Sequence, residues 1–173
     1  NKNTWRAGHI HTGIMYKYVG VDAAIELGLR ERAYSDPDIV ETFRILDDLA
    51  NRGAFQEGFN GTDYETEFAN FINGEHAMMF NGFWALSRIQ TEMGVDNVGA
   101  FVMPYFPERD QYRYNDITYP SQMIVSGLLP ENEEEITIDL LKYLTGPEIA
   151  EMLANDAKRN PARTDIEVDA DAV

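Results

Sequence analysis

The pattern of apolar and polar positions across residues 68–94 predicts a helix, a short buried strand and a second helix. Apolar residues first recur at helical spacing, and a glycine follows at the position where helices commonly end. Residues 76–80 then form a short apolar run of strand length, which the dipeptide Asn81-Gly82 ends. A strand that ends in a turn before a helix is where α/β proteins bind ligands. This order therefore predicts a ligand cleft beside Trp84.

Other segments also follow the helical period. Residues 4–28 predict one or two short helices interrupted at Gly20, and residues 35–38 (Ser-Asp-Pro-Asp) predict a capped helix start. Further along, Asn132 and Glu135 have the spacing of a capping box. The buried stripe predicted for that later helix comprises Ile136, Leu140, Leu141 and Leu144.

Residues 97–104 predict a second buried strand that a proline stops. The next segment, residues 105–119, carries five aromatic side chains among charged and amide residues. Such a loop suits a polyhydroxylated ligand, whose apolar faces stack on rings and whose hydroxyls need hydrogen-bond partners. Tyr105 is a candidate contact of this kind. The alternative is a surface hairpin whose tyrosines cover the strand beneath.

The composition limits the possible partners. The 173 residues include 30 acidic and 14 basic side chains, which gives a net charge of −16 and disfavours both nucleic acid and direct binding to a membrane surface. Solubility alone also accounts for this charge. The absence of cysteine excludes disulfides and thiol chemistry but does not determine the compartment. There is no apolar run of transmembrane length. The chain begins within foldable sequence, so we expect it to be part of a longer protein.

The sequence contains no recognisable catalytic constellation. It has no Gly-x-Ser-x-Gly elbow and no phosphate-binding glycine loop. With thirty carboxylates in the chain, the mere presence of Asp and Glu does not indicate a catalytic pair. We therefore predict no enzymatic activity and no cofactor. His9 and His11 lack a nearby third ligand, so we predict no metal site. His11 instead becomes a candidate hydrogen-bonding residue of the cleft.

Two tryptophans are candidates for stacking on a sugar ring. Burying about 100 Å² of an indole against a sugar, at about 25 cal/mol per Å², would contribute ~2.5 kcal/mol to the free energy of binding, before the entropic cost of ordering the two groups is subtracted. The alternative for Trp84 is a core position at the start of its helix, and Trp5 is open to the same two interpretations.

The sequence around Trp84 resembles the extracellular solute-binding proteins of carbohydrate ABC importers. Glu75 and His76 depart from that pattern, which usually has lysine and alanine there. A later stretch, residues 145–148 (Thr-Gly-Pro-Glu) followed by Pro161-Ala162, is similar to a second region of the family. The matching residues of the first region, in order and spacing, are Phe71, Gly74, Ala77, Met78, Asn81, Gly82 and Trp84.

The resemblance implies an α/β fold of the periplasmic-binding-protein-like type II, with two lobes that close about a hinge and only partly present here. Residues 1–116 would form most of one lobe, 117–126 a crossing strand and 127–173 a helical portion of the other lobe. The candidate ligand-binding residues are Trp84, Gly82, Asn81, Phe83, Trp5, His11, Tyr119, Ser121 and Tyr105.

The same resemblance implies a function in bacterial import. The protein would bind a saccharide and deliver it to the permease subunits of an ABC importer. We expect it to be monomeric and extracellular, either as a cell-surface lipoprotein or in the periplasm. Two alternatives stay open: a carbohydrate-active enzyme or its sugar-binding module, and the same fold used for a ligand that is not a sugar.

Overall fold

The computed structural model describes residues 2–117 and 123–169. Within these ranges the chain forms seven α-helices and four short 3₁₀ turns, and it forms no strand. The 3₁₀ turns are Phe59–Gly61, Phe83–Ala85, Val95–Asn97 and Pro107–Tyr112. The helices are α1 (Thr4–Tyr18), α2 (Val21–Leu29), α3 (Pro37–Asn51), α4 (Tyr64–Ile72), α5 (Leu86–Met93), α6 (Glu131–Leu144) and α7 (Pro147–Asn155).

The chain divides into two compact units. The first comprises Asn1–Phe80 and Gly99–Thr118, and the second comprises Asn81–Val98 and Tyr119–Val173. The predicted lobe boundaries at 116 and 126 stay predictions. Half of the predicted crossing strand, residues 118–122, lies outside the described residues.

The core of the first unit lies between α1, α2 and α3. Helix α1 packs on both of the others, and the side chains they enclose are Met15, Val19, Ala23, Leu27 and Ile39. The same helix buries two cations. The ammonium of Lys17 donates to the carbonyl of Arg113 at 3.0 Å and lies 3.9 Å from a carboxylate oxygen of Asp116. Burial of this lysine is therefore compensated by acceptors from a distant part of the chain.

Local signals located the helix ends well. Gly20 has φ +88° and separates α1 from α2, as predicted. The prediction at residues 35–38 is also confirmed, because Asp36 accepts a hydrogen bond from the backbone N–H of Asp38 and Pro37 opens α3. Helix α2 continues one residue beyond Gly28, to Leu29, before a left-handed residue ends it.

The predicted strands are not formed, so the α/β prediction is not confirmed in the described residues. Residues 76–80 and 97–104 have no regular strand there. Val98 has extended dihedral angles, yet Phe101 is 72% exposed where a buried strand was predicted. A strand is stable only beside another strand, and the described residues supply no such pairing.

The predictions for α6 were also wrong. The helix follows Pro130 without a side-chain cap, so Asn132 and Glu135 do not form the expected capping box. Ile136 and Leu140 are exposed rather than buried. Helical periodicity identifies which face is apolar, but it does not supply the surface that covers that face. In the second unit the buried side chains belong to Ala85, Ile89 and Ala154.

Candidate ligand-binding site

The predicted turn at Asn81-Gly82 is not formed. Neither residue lies in a turn or a bend, and Gly82 is extended. The side-chain oxygen of Asn81 accepts a hydrogen bond from the backbone N–H of Gly82 at 2.9 Å. The carbonyl of Gly82 accepts from the N–H of Ala85 at 3.0 Å, within the 3₁₀ segment Phe83–Ala85 that leads to α5. The chain therefore changes direction just after the Asn-Gly pair and not within it.

The indole of Trp84 lies directly on Gly82. A Cβ atom at Gly82 would lie 2.1 Å from Cζ3 of the indole and 2.4 Å from Cε3, far closer than two carbon atoms approach. The φ of Gly82 is −105°, an angle that any residue adopts, so the ring and not the backbone requires glycine here.

The Trp84 ring is not enclosed in the core of its unit. Its side chain is 41% exposed, and the neighbouring Phe83 is exposed to a similar degree. Two adjacent aromatic side chains are thus partly accessible on the 3₁₀ segment Phe83–Ala85. This geometry is compatible with stacking on a ligand, which stays a prediction for both residues.

A second aromatic group, which we call the Trp5 cluster, comprises Trp5, His9 and Tyr64 in the first unit. The Trp5 ring lies 5.1 Å from the ring of His9 and 5.3 Å from that of Tyr64, measured between centroids, in edge-on and tilted arrangements. Helix α1 supplies Trp5 and His9, and α4 supplies Tyr64. Trp5 is 40% exposed. The cluster therefore presents an aromatic surface with polar groups at its edge.

Arg6 lies beneath this cluster and is almost fully buried, with 1% of its side chain exposed. Its Nε donates to Oε2 of Glu67 at 3.1 Å, and its Nη2 donates to Oε1 of Glu67 and to the carbonyl of Phe80. The guanidinium carbon lies 5.2 Å from the Trp5 centroid and 5.4 Å from that of Tyr64. Removing one partner from such a buried pair typically costs about 3–5 kcal/mol.

His11 lies in the contact between α1 and α3. Its Nε2 is 2.8 Å from the hydroxyl oxygen of Thr42, which itself donates to the carbonyl of Ile39 at 2.7 Å. Because that donation uses the only hydroxyl proton, Nε2 of His11 carries the proton it donates to Thr42. The ring stacks on Phe43 with centroids 3.8 Å apart. Burial lowers the pKa of His11 below its ordinary value.

His9 and His11 do not form a pair. Two residues apart on a helix, they point in nearly opposite directions, whereas a strand would have placed both on one face. The pKa of His9 is lowered by burial and by the nearby charge of Arg6. Among the described residues no group of three histidine or acidic side chains is arranged to bind a metal ion.

The aromatic loop after residue 104 has two roles. Phe106 packs edge-on against Tyr18 at the end of α1, and Tyr112 lies against Gly20. Part of the loop therefore packs on these residues and not on the strand that the surface alternative placed beneath it. Tyr105 is partly exposed and has the guanidinium of Arg113 4.9 Å from its ring centroid. The other two candidates of this region, Tyr119 and Ser121, lie outside the described residues.

The first unit also has a cavity away from these residues. It has a volume of about 360 Å³ and opens at the start of α2. None of the candidate residues predicted from the sequence lines it. Its charged groups are Asp22, Glu26 and Arg32, of which Arg32 also pairs with Asp36 at 3.0 Å. Its lining is Val19, Gly20, Val21, Asp22, Ala23, Glu26, Arg32, Tyr112 and Asn115.

The sequence analysis missed Arg6, Tyr64 and Glu67. A signal for Arg6 was available, because it falls on the same helical face as the buried residues Ile14 and Lys17 of α1. A cation on a buried face requires a partner. The identity of that partner was not available, since Glu67 lies 61 residues away.

Comparison with known proteins places the chain in a family. Residues 1–172 match the family model described as bacterial extracellular solute-binding protein. No curated protein and no solved structure gives a significant match.

Proposed function

Because the chain belongs to the bacterial extracellular solute-binding proteins, we propose that it is the substrate-binding component of an ABC importer and that its substrate is a sugar or oligosaccharide. Membership implies a periplasmic-binding-protein-like fold, a bound solute, a membrane transporter as partner and an extracellular or periplasmic location. Such proteins generally bind rather than catalyse. In the part of the chain that the structure describes, every helix is too short or too polar to cross a bilayer.

The observation that carries the sugar proposal is the geometry of Trp84. Its indole lies against Gly82, the residue is 41% exposed, and it belongs to the 3₁₀ segment Phe83–Ala85. An indole held in this way needs little further ordering when a ligand stacks on it, which reduces the entropic cost of binding. Sugar rings offer the apolar faces and the hydroxyl edges that suit such a surface.

The other candidate residues are also proposed to contact a sugar, and each is described within its own unit. In the second unit Phe83 is a partly exposed aromatic side chain. In the first unit Tyr105 is partly exposed, and Trp5 offers a ring with His9 and Tyr64 beside it. Asn81 and Gly82 would act mainly by leading the chain into the 3₁₀ segment that carries Trp84. We assign His11 a lesser part, because its Nε2 already donates to Thr42.

A thermal-shift screen of the whole protein tests the substrate class. The panel would contain monosaccharides, oligosaccharides of two to about six units, amino acids, dipeptides and polyamines. We expect the largest rise in midpoint with a saccharide, because a ligand that binds only the native state stabilises it. A rise confined to amino acids, peptides or polyamines would instead assign a non-sugar ligand to the same fold.

Calorimetry with the best saccharide of that panel then tests Trp84. Replacing Trp84 with Ala should weaken binding roughly 50-fold, which corresponds to the ~2.5 kcal/mol expected for stacking on one indole face. Phe101→Ala, which removes another exposed aromatic ring, is the matched control and should leave the affinity unchanged. Equal affinities for Trp84→Ala and the parent protein would remove the residue from the site.

Two further measurements address the alternatives and the partners. Chromatography of oligosaccharides after long incubation distinguishes binding from hydrolysis, and we expect no shortened products.

We also propose that the protein works as a monomer, anchored as a lipoprotein or held in the periplasm, and delivers its ligand to the permease. Sedimentation with and without the saccharide checks the monomer.

A further inference from the structure

We propose that the cavity at the start of α2, which we call the α2 cavity, binds a single hexose that is either uncharged or carries an amine. The residues that line it all belong to the first unit, so the site requires nothing from the second unit. The inference goes beyond the proposed function, because the α2 cavity shares no residue with the surface at Trp84. Its size, its hydrogen-bonding groups, its charge and the way its walls are held carry the inference.

The size of the α2 cavity suits one sugar ring. Its volume of about 360 Å³ lies near the lower end of the range of roughly 300–1,000 Å³ that small-molecule pockets occupy. A chain of several sugar units would extend beyond its walls, and a single ion would leave most of the space to water. A ligand of one ring therefore fits the volume best.

The lining of the α2 cavity offers both donors and acceptors of hydrogen bonds. Arg32 can only donate, whereas the carboxylates of Asp22 and Glu26 can only accept, and the partly buried amide of Asn115 can do both. Within residues 2–117 and 123–169, neither Asp22 nor the Asn115 amide makes a side-chain hydrogen bond or an ion pair. Sugar hydroxyls donate and accept at the same time, and the ring of Tyr112 suits the apolar face of a sugar.

The charge of the α2 cavity disfavours anionic ligands. Its cation, Arg32, is already shared between Glu26 at 3.5 Å and Asp36 at 3.0 Å. Asp22 adds a further carboxylate, so the lining as a whole is negative. A sugar acid would therefore be repelled, whereas an uncharged hexose would not be and an amino sugar would be attracted.

The walls of the α2 cavity are held together by contacts between distant parts of the chain. The buried ammonium of Lys17 donates to the carbonyl of Arg113 at 3.0 Å, and that residue lies between Tyr112 and Asn115 in the sequence. The ring of Tyr112 packs closely on Gly20, where a Cβ atom would lie 2.7 Å from Cε1 of the ring. A cavity that is already formed loses little entropy when a ligand enters it.

Isothermal titration calorimetry of the whole protein tests the ligand class. The probes are glucose, galactose, mannose, glucosamine, glucuronate and putrescine. We expect at least one of the first four to bind and glucuronate not to bind. No heat from those four up to about 10 mM, where a site with a millimolar Kd would be mostly occupied, would overturn the inference. Binding of putrescine without any hexose would overturn it as well, because the cavity would then be a site for simple cations.

Substitutions in the lining then locate the bound hexose. Asn115→Leu removes the amide at similar size and should weaken binding about 10-fold, the effect of roughly one lost hydrogen bond. Asn51→Leu makes the same change at an exposed position at the end of α3 and should leave the affinity unchanged. Asp22→Ala, at an exposed position of α2, should also weaken binding, and it decides the question if circular dichroism shows that Asn115→Leu does not fold.

Unchanged hexose affinity in folded Asn115→Leu, or in Asp22→Ala where that variant decides, would overturn the inference. Trp84→Ala separates this outcome from a failure of the proposed function, because Trp84 does not line the α2 cavity. If hexose binding weakens in Trp84→Ala but not in Asn115→Leu, the α2 cavity is not a sugar site and the surface at Trp84 is. If it weakens only in Asn115→Leu and every saccharide binds Trp84→Ala normally, the α2 cavity stands and the surface at Trp84 does not.

Discussion

At Gly82 the missing side chain leaves room for the indole of Trp84. A Cβ atom would overlap three ring carbons at 2.1–2.4 Å, although the backbone angles suit any residue. The sequence predicted a turn here from the Asn-Gly pair, but neither residue lies in a turn or a bend. The glycine is required by the ring that lies on it and not by a left-handed conformation.

Replacing Gly82 with Ala should displace the Trp84 ring. We expect a loss of about 1–3 kcal/mol in the free energy of unfolding, typical of an added methyl group that forces a packed side chain to move. In a Trp5→Phe variant, in which Trp84 is the only remaining tryptophan, acrylamide quenching of the Trp84 fluorescence should also increase. Urea unfolding and quenching measure the two effects.

The control is Gly8→Ala in α1. A Cβ atom at Gly8 meets nothing within 4 Å, so alanine should stabilise the helix by about 0.5–1 kcal/mol. The two glycine replacements are therefore expected to have opposite signs. A stabilising Gly82→Ala would contradict the ring contact.

At the scale of elements, a polar contact joins α1 to α3 beside the apolar side chains that these helices enclose. Nε2 of His11 donates a hydrogen bond to the hydroxyl of Thr42, and that hydroxyl donates its own proton to the backbone carbonyl of Ile39. Protonating His11 adds a charge to a half-buried ring, which is why burial lowers its pKa. The junction of the two helices should therefore depend on pH.

We expect the free energy of unfolding to fall as the pH is lowered through about 6.5, the ordinary pKa of an unfolded histidine. Below that value the unfolded chain binds protons that the folded chain resists, because the pKa values of His11 and His9 are lowered in the fold. Both histidines thus contribute stability that is complete above pH 6.5 and declines below it. Urea unfolding between pH 5 and 8 measures the slope.

His11→Gln isolates the contribution of His11. A glutamine amide can still donate to Thr42 but does not titrate, so the variant should show a smaller slope between pH 5 and 6.5. The residual slope of His11→Gln should shrink again when His9 is also replaced by Gln. An undiminished slope in the double variant would show that other groups produce the pH dependence.

The predicted strands illustrate a limit at the same scale. Residues 97–104 have the composition of a buried strand, yet Phe101 is 72% exposed in the described structure. A helix satisfies its backbone hydrogen bonds internally, whereas a strand needs a neighbour that its own sequence does not name. Helices could therefore be predicted locally, and sheet pairing could not.

At the scale of the whole molecule, charge is the dominant feature. An excess of 16 negative charges on 173 residues produces repulsion that favours expansion of the chain. Local pairs such as Arg6 with Glu67 neutralise only a small part of it. The family membership is compatible with this charge, since an extracellular protein needs solubility.

We expect the melting midpoint at pH 7 to rise as NaCl is increased from about 10 mM to about 0.3 M, because the Debye length falls from about 30 Å to below 10 Å over that range. Differential scanning calorimetry measures the change. KCl at equal ionic strength should have the same effect, since screening does not depend on which monovalent cation is present. A midpoint that stays constant or falls would show that net repulsion does not limit stability.

The sequence by itself determined the parts of this protein that local chemistry controls. The capped start at residues 35–38 and the break at Gly20 each depend on residues within a few positions of one another. The sequence was also sufficient for the family, because a linear pattern of residues carries it.

Only the tertiary structure decided which distant groups meet. It paired Arg6 with Glu67 and Phe80, placed His11 against Thr42, and left the apolar stripe of α6 exposed. These contacts join residues 31 to 74 positions apart, where no local propensity operates and the outcome depends on how whole elements pack. A periodic pattern specifies which face of a helix is apolar, and packing alone specifies what that face touches.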